Sequence, residues 1–196
     1  MTVNKKKSKI AIKKDIIDFL NSTSGQVDPK PGKYSCGLMH KNCLVLATYA
    51  NNKPRATALE FFNEGLTIYI LGEPGGKIAN IKRNPNVSAV VYEQPLDHSK
   101  LQKCLQIFGN AELINIRNNP RLFRSKIRKW DVYNVGKKIM SPMVKEKNLS
   151  EKEVEAMVKK GMESLNIIKI FPHHIILKEF HIDFSLKKYE WKKDNT

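Results

Sequence analysis

Two short segments of the chain carry residue types that could bind a phosphate group. Arg55 opens a predicted strand, and Gly75, Gly76 and Lys77 stand at the start of a predicted helix. Glycines let backbone N–H groups approach an oxyanion, and the positive end of a helix dipole favours negative charge. Lys77 would add a point charge. The pattern therefore predicts an anion site in the segment 72–77, with Arg55 as a second cation.

Each of these features also has a simpler interpretation. The glycine spacing matches neither the phosphate loop of the NTPases nor the dinucleotide fingerprint, and a Gly-Gly pair before a helix is often only a turn. Arg55 alone is typical of a protein surface. Both groups can act on one phosphate only if the strands that hold Arg55 and Leu71 are neighbours. The tight turn expected over residues 63–65 would permit that arrangement.

Other catalytic patterns are missing from the sequence. There is no nucleophile elbow, and the Asp-His-Ser tripeptide at 97–99 is typical of a loop rather than of a catalytic triad. A chain without acid–base or nucleophile motifs is compatible with chemistry that a cofactor supplies. The five histidines have no metal-ligand spacing to cysteines or carboxylates; they are His40, His98, His173, His174 and His181.

The composition is that of a globular protein with a strong positive charge. The 196 residues are 41% hydrophobic and 28% charged, and the net charge is +16. Such a charge suits nucleic acid, an anionic membrane surface or an anionic small ligand. The basic residues are mostly lysines spread along the chain, and no nucleic-acid-binding motif is present. We therefore do not expect nucleic acid to be the partner.

The sequence also favours the cytoplasm. No apolar run approaches the roughly 20 residues that a membrane span needs, and the N-terminal segment has no apolar core typical of a secretory signal. The three cysteines, Cys36, Cys43 and Cys104, form no C-x-x-C pair. An odd number of cysteines without a signal favours reduced thiols.

Periodicity predicts a mainly β fold with added helices. Residues 1–9 are expected to be disordered, and residues 10–196 to form one domain with a helical insertion at about 118–163. Five or six strands with short turns favour a barrel over a βαβ fold. Strands are predicted at 44–50, 55–62, 66–71, 87–92 (buried on both faces), 101–114 (with a bend or bulge at Gly109), 165–171 and 174–182. Helices are predicted at 13–20, 77–83, 120–130 and 154–162, and a loop at 135–148.

As a set, the core motifs resemble the FMN-binding split-barrel family that is typified by pyridoxamine 5′-phosphate oxidase. The resemblance lies in residues 46–48, 54–57, 65–69, 77–87 and 106–112, and it covers roughly residues 40–115. It implies a six-stranded antiparallel Greek-key split barrel that binds FMN at the interface of a homodimer.

The resemblance also assigns roles to individual residues. Arg55 would bind the FMN phosphate, and the backbone of Ile70 and Leu71 would face the flavin just before Gly72. Gln106 or Cys104 would come from the facing subunit. Two sets of three complete the site: Ala56, Thr57 and Ala58 would run under the isoalloxazine ring and ribityl chain, and Gly75, Gly76 and Lys77 match the Ser-Arg-Lys phosphate grip of the family.

This sequence departs from the oxidase at informative positions. Two glycines replace the Ser and Arg of the phosphate grip, so backbone amides and Arg55 must contribute more. Glu60 occupies the position of an oxidase lysine, and a carboxylate there would disfavour an anionic reduced flavin. The oxidase's substrate-binding Arg and His signature near the C-terminus is also missing. The resemblance therefore does not imply true pyridoxamine phosphate oxidase activity.

The expected function is that of a cytoplasmic, homodimeric FMN oxidoreductase. Hydride would pass between the flavin and NAD(P)H or another small molecule, and the insertion with Trp130, Tyr133, Met140 and Met143 could wall the substrate pocket. Two alternatives remain open. The same fold could bind F420 or haem, or the chain could be a non-catalytic anion or nucleic-acid binder.

Overall fold

The computed structural model describes residues 7–23, 44–92, 101–147 and 149–194. Several predictions lie outside these residues: those for positions 1–6, for the loop at 26–41, for Cys36 and Cys43, for His40 and for the tripeptide 97–99.

The described residues form one antiparallel sheet of eight strands with helices packed around it. The strands are β1 (Leu44–Ala50), β2 (Lys53–Leu59), β3 (Phe62–Glu64), β4 (Thr67–Gly72), β5 (Asn86–Tyr92), β6 (Gln102–Ile114), β7 (Asn166–Phe180) and β8 (Leu186–Lys192). The helices are α1 (Lys9–Thr23), α2 (Gly76–Arg83), α3 (Pro120–Lys129), α4 (Val132–Lys147) and α5 (Glu151–Ser164). The prediction of a mainly β fold with added helices is confirmed.

The order of the strands requires the sheet to curl. The order is β2-β1-β5-β6-β7-β4-β3, with β8 paired to β7 outside this path. A flat sheet would separate β2 from β3 by about 29 Å, at about 4.8 Å per neighbour. Only Glu60 and Phe61 link them, and the chain from Leu59 to Phe62 spans at most about 11 Å. The sheet therefore closes on itself as an open, split barrel.

The inside of this curl is the main hydrophobic core. Inward residues such as Leu46, Val91 and Leu105 pack there with residues from two helices. Helix α1 contributes Ile16, and α2 contributes Ile78. Because α2 follows β4 directly and covers one end of the barrel, its first turn lies at the rim of the core.

The strand count and two strand predictions are corrected. The sheet has eight strands rather than the six that the resemblance implies. Of the seven ranges predicted as strands, 55–62 divides at Glu60 and Phe61, where the chain crosses from the first strand of the sheet to the last, and 165–171 and 174–182 join as β7. Strand β8, which pairs with β7, is additional. The predicted break between 171 and 174 is wrong. β7 continues through it with a bulge, since Phe108 pairs with His174 and Gly109 with Pro172. A bulge accommodates a proline that cannot donate to the ladder, and it confirms the irregularity predicted at Gly109.

Strand β5 is not buried on both faces. Its burial alternates along the strand, and Val90 and Tyr92 are 37% and 45% exposed. The apolar run therefore gives one buried and one exposed face in the single chain.

The helical predictions are confirmed in part. Asn119 caps α3 by accepting a hydrogen bond from the Leu122 amide, and Ser150 forms the predicted capping box with Glu153 at α5. The predicted loop at 135–148 is wrong, because α4 is helical from Val132 to Lys147. Gly136 suits this helix, since a Cβ there would lie 3.2 Å from Val158 Cγ1 on α5. Glycine lets the two helices approach closely.

Helix α3 is held on the β3–β4 hairpin by a second hydrophobic cluster and by charge. Trp130 stacks on Phe62 with ring centroids 4.3 Å apart and is buried, so it packs in this cluster and is not a free pocket wall. The buried Lys126 Nζ lies 2.5 Å from Glu64 Oε1. Partial burial acts to raise the pKa of Glu64, but hydrogen bonds from Lys126 and Lys129 outweigh it and lower the pKa to about 2. Burial and the Glu64 carboxylate raise the pKa of Tyr69 to about 12.

Helix α1 begins at Lys9, earlier than the predicted residue 13. Before it, the Lys7 ammonium lies 2.8 Å from the Asp15 carboxylate and 3.3 Å from that of Glu179. No helix in the described part of the chain is both long and apolar enough to cross a membrane.

Candidate functional site

The guanidinium of Arg55 lies against the first turn of α2. A Cβ built at Gly76 would fall 2.6 Å from Arg55 Nε and 2.7 Å from its Cζ. The two predicted halves of the anion site are therefore adjacent in space. Their strands are not neighbours, however, because β2 pairs with β1 while β4 pairs with β3 and β7. The expected contact between the strands of Arg55 and Leu71 is wrong. The curl of the sheet and the length of the arginine side chain bring Arg55 to Gly76 instead.

Polar contacts to β1 fix α2 in this position. Asn80 Nδ2 donates to Thr48 Oγ1 at 3.2 Å, and Thr48 is the register partner of Arg55. At the other end of the helix, Asn84 Nδ2 donates to the Tyr49 carbonyl at 3.1 Å. The turn that joins β1 to β2 is tight, since Asn51 and Asn52 have φ of 52° and 55°, as a type I′ turn requires. The edge strand that carries Arg55 is thus held in register beneath α2.

The N-terminus of α2 is open to a ligand. Gly75 is its N-cap residue, with φ 156° and ψ −169°, and no side chain caps the helix. Residues other than glycine rarely adopt that φ. No acidic residue lies in the first turn. The first N–H groups of a helix have no partner within it, so those of α2 are available to a ligand.

Positive charge at this point is not balanced by a described neighbour. Arg55 is exposed and Lys77 is half-buried. Within the described ranges, no carboxylate lies in ion-pair distance of either side chain. Glu60, in the link between β2 and β3, is half-buried and likewise has no ion pair in this part of the chain. An arginine, a lysine and uncapped amides together suit a phosphate dianion.

Strand β4 offers a free backbone edge next to this point. Ile70, Leu71 and Gly72 pair with β7 on one side. On the other side, β3 reaches only as far as Tyr69. In an antiparallel strand, alternate residues turn their N–H and C=O groups to opposite sides. Beyond Tyr69, some of these groups therefore point to an edge that no described strand covers, where a planar ligand could accept or donate hydrogen bonds.

The other predicted site residues divide between the two faces of the sheet. Thr57 shares the inward face with Arg55, whereas Ala56 and Ala58 point outward and are exposed. Gln106 also points outward. It lies in the same row across the sheet as Ala58, with β1 and β5 between them. Three strand spacings separate them, about 14 Å. Within one chain, Gln106 does not meet Arg55 or Gly76.

A cavity that the sequence did not predict adjoins the same helix. It has a volume of about 400 Å³ and lies between α2 and the junction of α5 with β7. Gly75 lines it, as do Lys82 and Arg117. Lys82 and Arg117 are far apart in the sequence and belong to no motif, so no local signal could have placed them at one cavity. Among the described residues, no group of three His, Cys, Asp or Glu side chains could hold a metal ion.

A curled antiparallel sheet with a short helix after β4 at its rim defines the split-barrel class of proteins. The sequence profile described as pyridoxamine 5′-phosphate oxidase matches residues 32–158, more than half of the 196 residues. The chain belongs to this family.

Several solved structures are similar to the chain. PhzG from Burkholderia lata 383, in complex with tetrahydrophenazine-1-carboxylic acid, has a TM-score of 0.52 and 12% identity, over 79% of this chain and 77% of its own. General Stress Protein 26 from Bacillus anthracis is 21% identical over 76% of this chain and 90% of its own, with a TM-score of 0.43. A FAD-binding protein from Mesorhizobium loti is 16% identical over 72% and 87%, with a TM-score of 0.47. No curated protein matches the chain.

Proposed function

We propose that this protein is a cytoplasmic FMN-binding oxidoreductase that works as a homodimer. The observation that carries the proposal is the contact between Arg55 and Gly76 at the uncapped start of α2. Bound flavin would supply a ring that accepts or donates hydride, in exchange with NAD(P)H or another small molecule.

The residues of the chain would bind and orient that flavin. Arg55, Lys77 and the first amides of α2 would hold the phosphate. The free edge of β4 at Ile70 and Leu71 would hydrogen-bond the ring, with Thr57 beside the ribityl chain. Because Glu60 would disfavour negative charge on the reduced ring, we do not expect oxidation of pyridoxamine phosphate.

An uncharged outer face supports the dimer. In a chain that is 28% charged, none of the outward residues in the central part of β2, β1, β5 and β6 is charged. They are Pro54, Ala56 and Ala58; Val45, Ala47 and Tyr49; Asn86, Ser88, Val90 and Tyr92; and Cys104, Gln106, Phe108 and Asn110. The depletion of charged residues is typical of the core of a protein interface. Two-fold pairing of this face would bury β5 on both sides, and it would turn Gln106 toward the partner subunit.

The cofactor is tested by the visible spectrum of the purified protein and the mass of whatever it releases. We expect a flavin spectrum and the mass of FMN. The double variant Arg55→Ala/Lys77→Ala should lose the flavin, while Arg124→Ala/Lys152→Ala, which removes the same charge from exposed positions, should keep it. A Soret band, a deazaflavin mass or full flavin occupancy in the first variant would refute the assignment.

The dimer is tested by sedimentation. Val90→Asp places a charge at the centre of the proposed interface and should produce monomers. Ile182→Asp is the control, since Ile182 is also exposed but follows β7. A wild-type protein that sediments as a monomer would contradict the proposal.

The thiol of Cys104 is compatible with the proposed cytoplasmic location. Cys104 is a free, half-buried thiol on β6, and burial raises its pKa. A protonated thiol is less reactive than a thiolate and suits a reducing compartment. Fractionation of the source cells would test this, and recovery of the protein outside the cytoplasm would contradict it.

A further inference from the structure

Arginine is unevenly distributed in this chain. The sequence has six arginines, and four of them lie between residues 117 and 128. All four are exposed, and together they form what we call the arginine row: Arg117, Arg121, Arg124 and Arg128. The lysines, by contrast, are spread along the whole chain. A general need for positive charge therefore does not explain why the guanidinium groups are concentrated in one place.

Most of the arginine row lies along one side of α3. Arg121, Arg124 and Arg128 are three and four residues apart, so they are neighbours on one face of the helix. The other face carries the buried residues Phe123 and Ile127, which belong to the hydrophobic cluster on the β3–β4 hairpin. The packed face holds the helix in place, and the guanidinium groups are presented on its outer side.

Arg117 extends the row beyond the start of the helix. It lies in the turn between β6 and α3, where its amide donates a hydrogen bond to Asn115 Oδ1 at 3.0 Å. Its side chain lines the cavity beside α2 together with Lys82. The positive surface of the arginine row therefore continues as far as that cavity.

No described carboxylate neutralises the arginine row. Within residues 7–23, 44–92, 101–147 and 149–194, no Asp or Glu forms an ion pair with any of its four members. Glu64 does contact α3, but it pairs with Lys126 and Lys129. The two lysines thus attach the helix to the hairpin, whereas the arginines remain available to a partner of negative charge.

The start of the arginine row is unfavourable for the helix itself. Arg121 is the second residue of α3, where the helix dipole disfavours a positive charge. The first turn holds no acidic residue to offset it. Arg121 and Arg124 also repel each other, as like charges do at this spacing. Departures from local preference of this kind are expected at functional sites, so the row indicates a ligand.

The spacing of the row suits a chain of phosphates. At 1.5 Å per residue, Arg121 and Arg128 are separated by about 10.5 Å along the helix axis. One strand of a duplex presents a phosphate about every 3.4 Å, so about three phosphates fall within that length. Guanidinium groups can donate two parallel hydrogen bonds to a phosphate. Three helical arginines therefore meet about as many phosphates.

The buried face of α3 argues against two other modes of binding. A helix that lies on a membrane inserts its apolar face among the lipids, but Phe123 and Ile127 are only 3% and 9% exposed. Bases stack on exposed aromatic side chains, but Phe123 is buried, as is Trp130 at the end of the helix. What the helix offers is contact with phosphates, which carries no information on base sequence.

We infer that the arginine row binds the phosphodiester backbone of a nucleic acid, without preference for base sequence. Each guanidinium contacts a phosphate, and Arg117 continues the contact toward Lys82. The inference revises the expectation from composition, because it rests on where the arginines lie and not on the total charge. It does not depend on the proposed flavin, since none of the four arginines is among the residues proposed to bind it.

The test is fluorescence anisotropy of the purified protein with short labelled duplex DNA, single-stranded DNA and single-stranded RNA of mixed sequence. Four neutralised phosphates contribute about −3.6 to the slope of log affinity against log salt for a duplex, and about −2.8 for a single strand. Between about 50 and about 200 mM salt, that contribution alone lowers the duplex affinity about 150-fold. A preference among the three probes would support the inference and identify the form of nucleic acid.

Two quadruple variants separate the row from the overall charge. Replacing all four arginines with alanine should remove most of that slope and lower the affinity at about 50 mM salt at least about tenfold. The control removes four exposed lysines from α1 and α5, and it should keep the wild-type slope to within about one. Its substitutions are Lys13→Ala, Lys14→Ala, Lys152→Ala and Lys160→Ala.

The outcomes also separate this inference from the proposed function. Equal losses in the two quadruple variants would mean that only the overall charge acts, and they would overturn the inference. Absence of binding to all three probes would overturn it too. The arginine variant should keep its flavin, and joint loss of flavin and nucleic acid would contradict a separate site. As a milder variant, Arg121→Ala should reduce the slope by about 0.7–0.9 without lowering the urea midpoint; a lower midpoint would show that this arginine serves the fold.

Discussion

The contact between Arg55 and Gly76 predicts that one added methyl group weakens phosphate binding. In Gly76→Ala, the new Cβ would lie 2.6 Å from Arg55 Nε, well inside the 3.5–4.0 Å of an optimal contact. The neighbour is the end of a flexible side chain and not backbone. The guanidinium is therefore expected to move by about 1 Å while the fold is kept.

The size of the effect follows from the bond that would be lost. A hydrogen bond to a charged group contributes about 1.5–3 kcal/mol. Because Arg55 is exposed, solvent screening reduces this to about 1–2 kcal/mol. At 1.4 kcal/mol per factor of ten, the FMN affinity should fall about 5- to 30-fold. Riboflavin has no phosphate, so its affinity should not change.

Fluorescence titration of both flavins into the wild type and the variant measures this difference. Arg55→Ala and the double variant Arg55→Ala/Gly76→Ala complete a cycle. If the methyl group acts through the arginine, the double variant should bind FMN no more weakly than Arg55→Ala alone. Additive losses in the cycle, or an equal loss of FMN and riboflavin binding, would refute the reasoning.

Three further predictions concern stability. The pKa of Glu64 is about 2 in the folded protein, below the ordinary value of 4.5. Its contribution to the free energy of unfolding is therefore present above about pH 4.5 and is lost as the pH falls toward 2. Urea midpoints measured from about pH 6 to about pH 3 should fall more steeply in the wild type than in Glu64→Gln, and parallel slopes would contradict this. Gly109→Ala should lower the free energy of unfolding by about 1–3 kcal/mol, because a Cβ would lie 2.6 Å from the Phe171 carbonyl oxygen; an unchanged urea midpoint would show that the strands can separate. Gly161→Ala should raise that free energy by about 0.5–1 kcal/mol, because Gly161 lies in α5 with no atom within 4 Å of the added Cβ; a lower midpoint would be contrary to expectation.

Local signals were sufficient for the features that depend on a few adjacent residues. Gly75 and Gly76 located the start of α2, and the Asn84-Pro85 pair located its end. The capping box at Ser150 located the start of α5. Such features are predictable because the groups that satisfy each other are three or four residues apart, whatever the rest of the fold does.

Local signals failed where a distant segment decided the outcome. Gly136 and Pro142 suggested a loop, yet packing of α4 on α5 favours a helix that uses the glycine for close contact. Pro172 suggested the end of a strand, yet the pairing of β7 with β6 continues through a bulge. In both cases tertiary contacts outweighed a local cost of a few kcal/mol at most.

The sequence by itself determined the family, most of the strands and helices, and the residue types of the candidate anion site. Only the tertiary structure decided that Arg55 reaches Gly76 without a shared strand pair, that Lys126 is buried against Glu64, and that Lys82 and Arg117 meet at one cavity. The physical reason is closure of the sheet. The two-residue link from β2 to β3 forces the first and last strands together, and side chains that are remote along the chain then become neighbours.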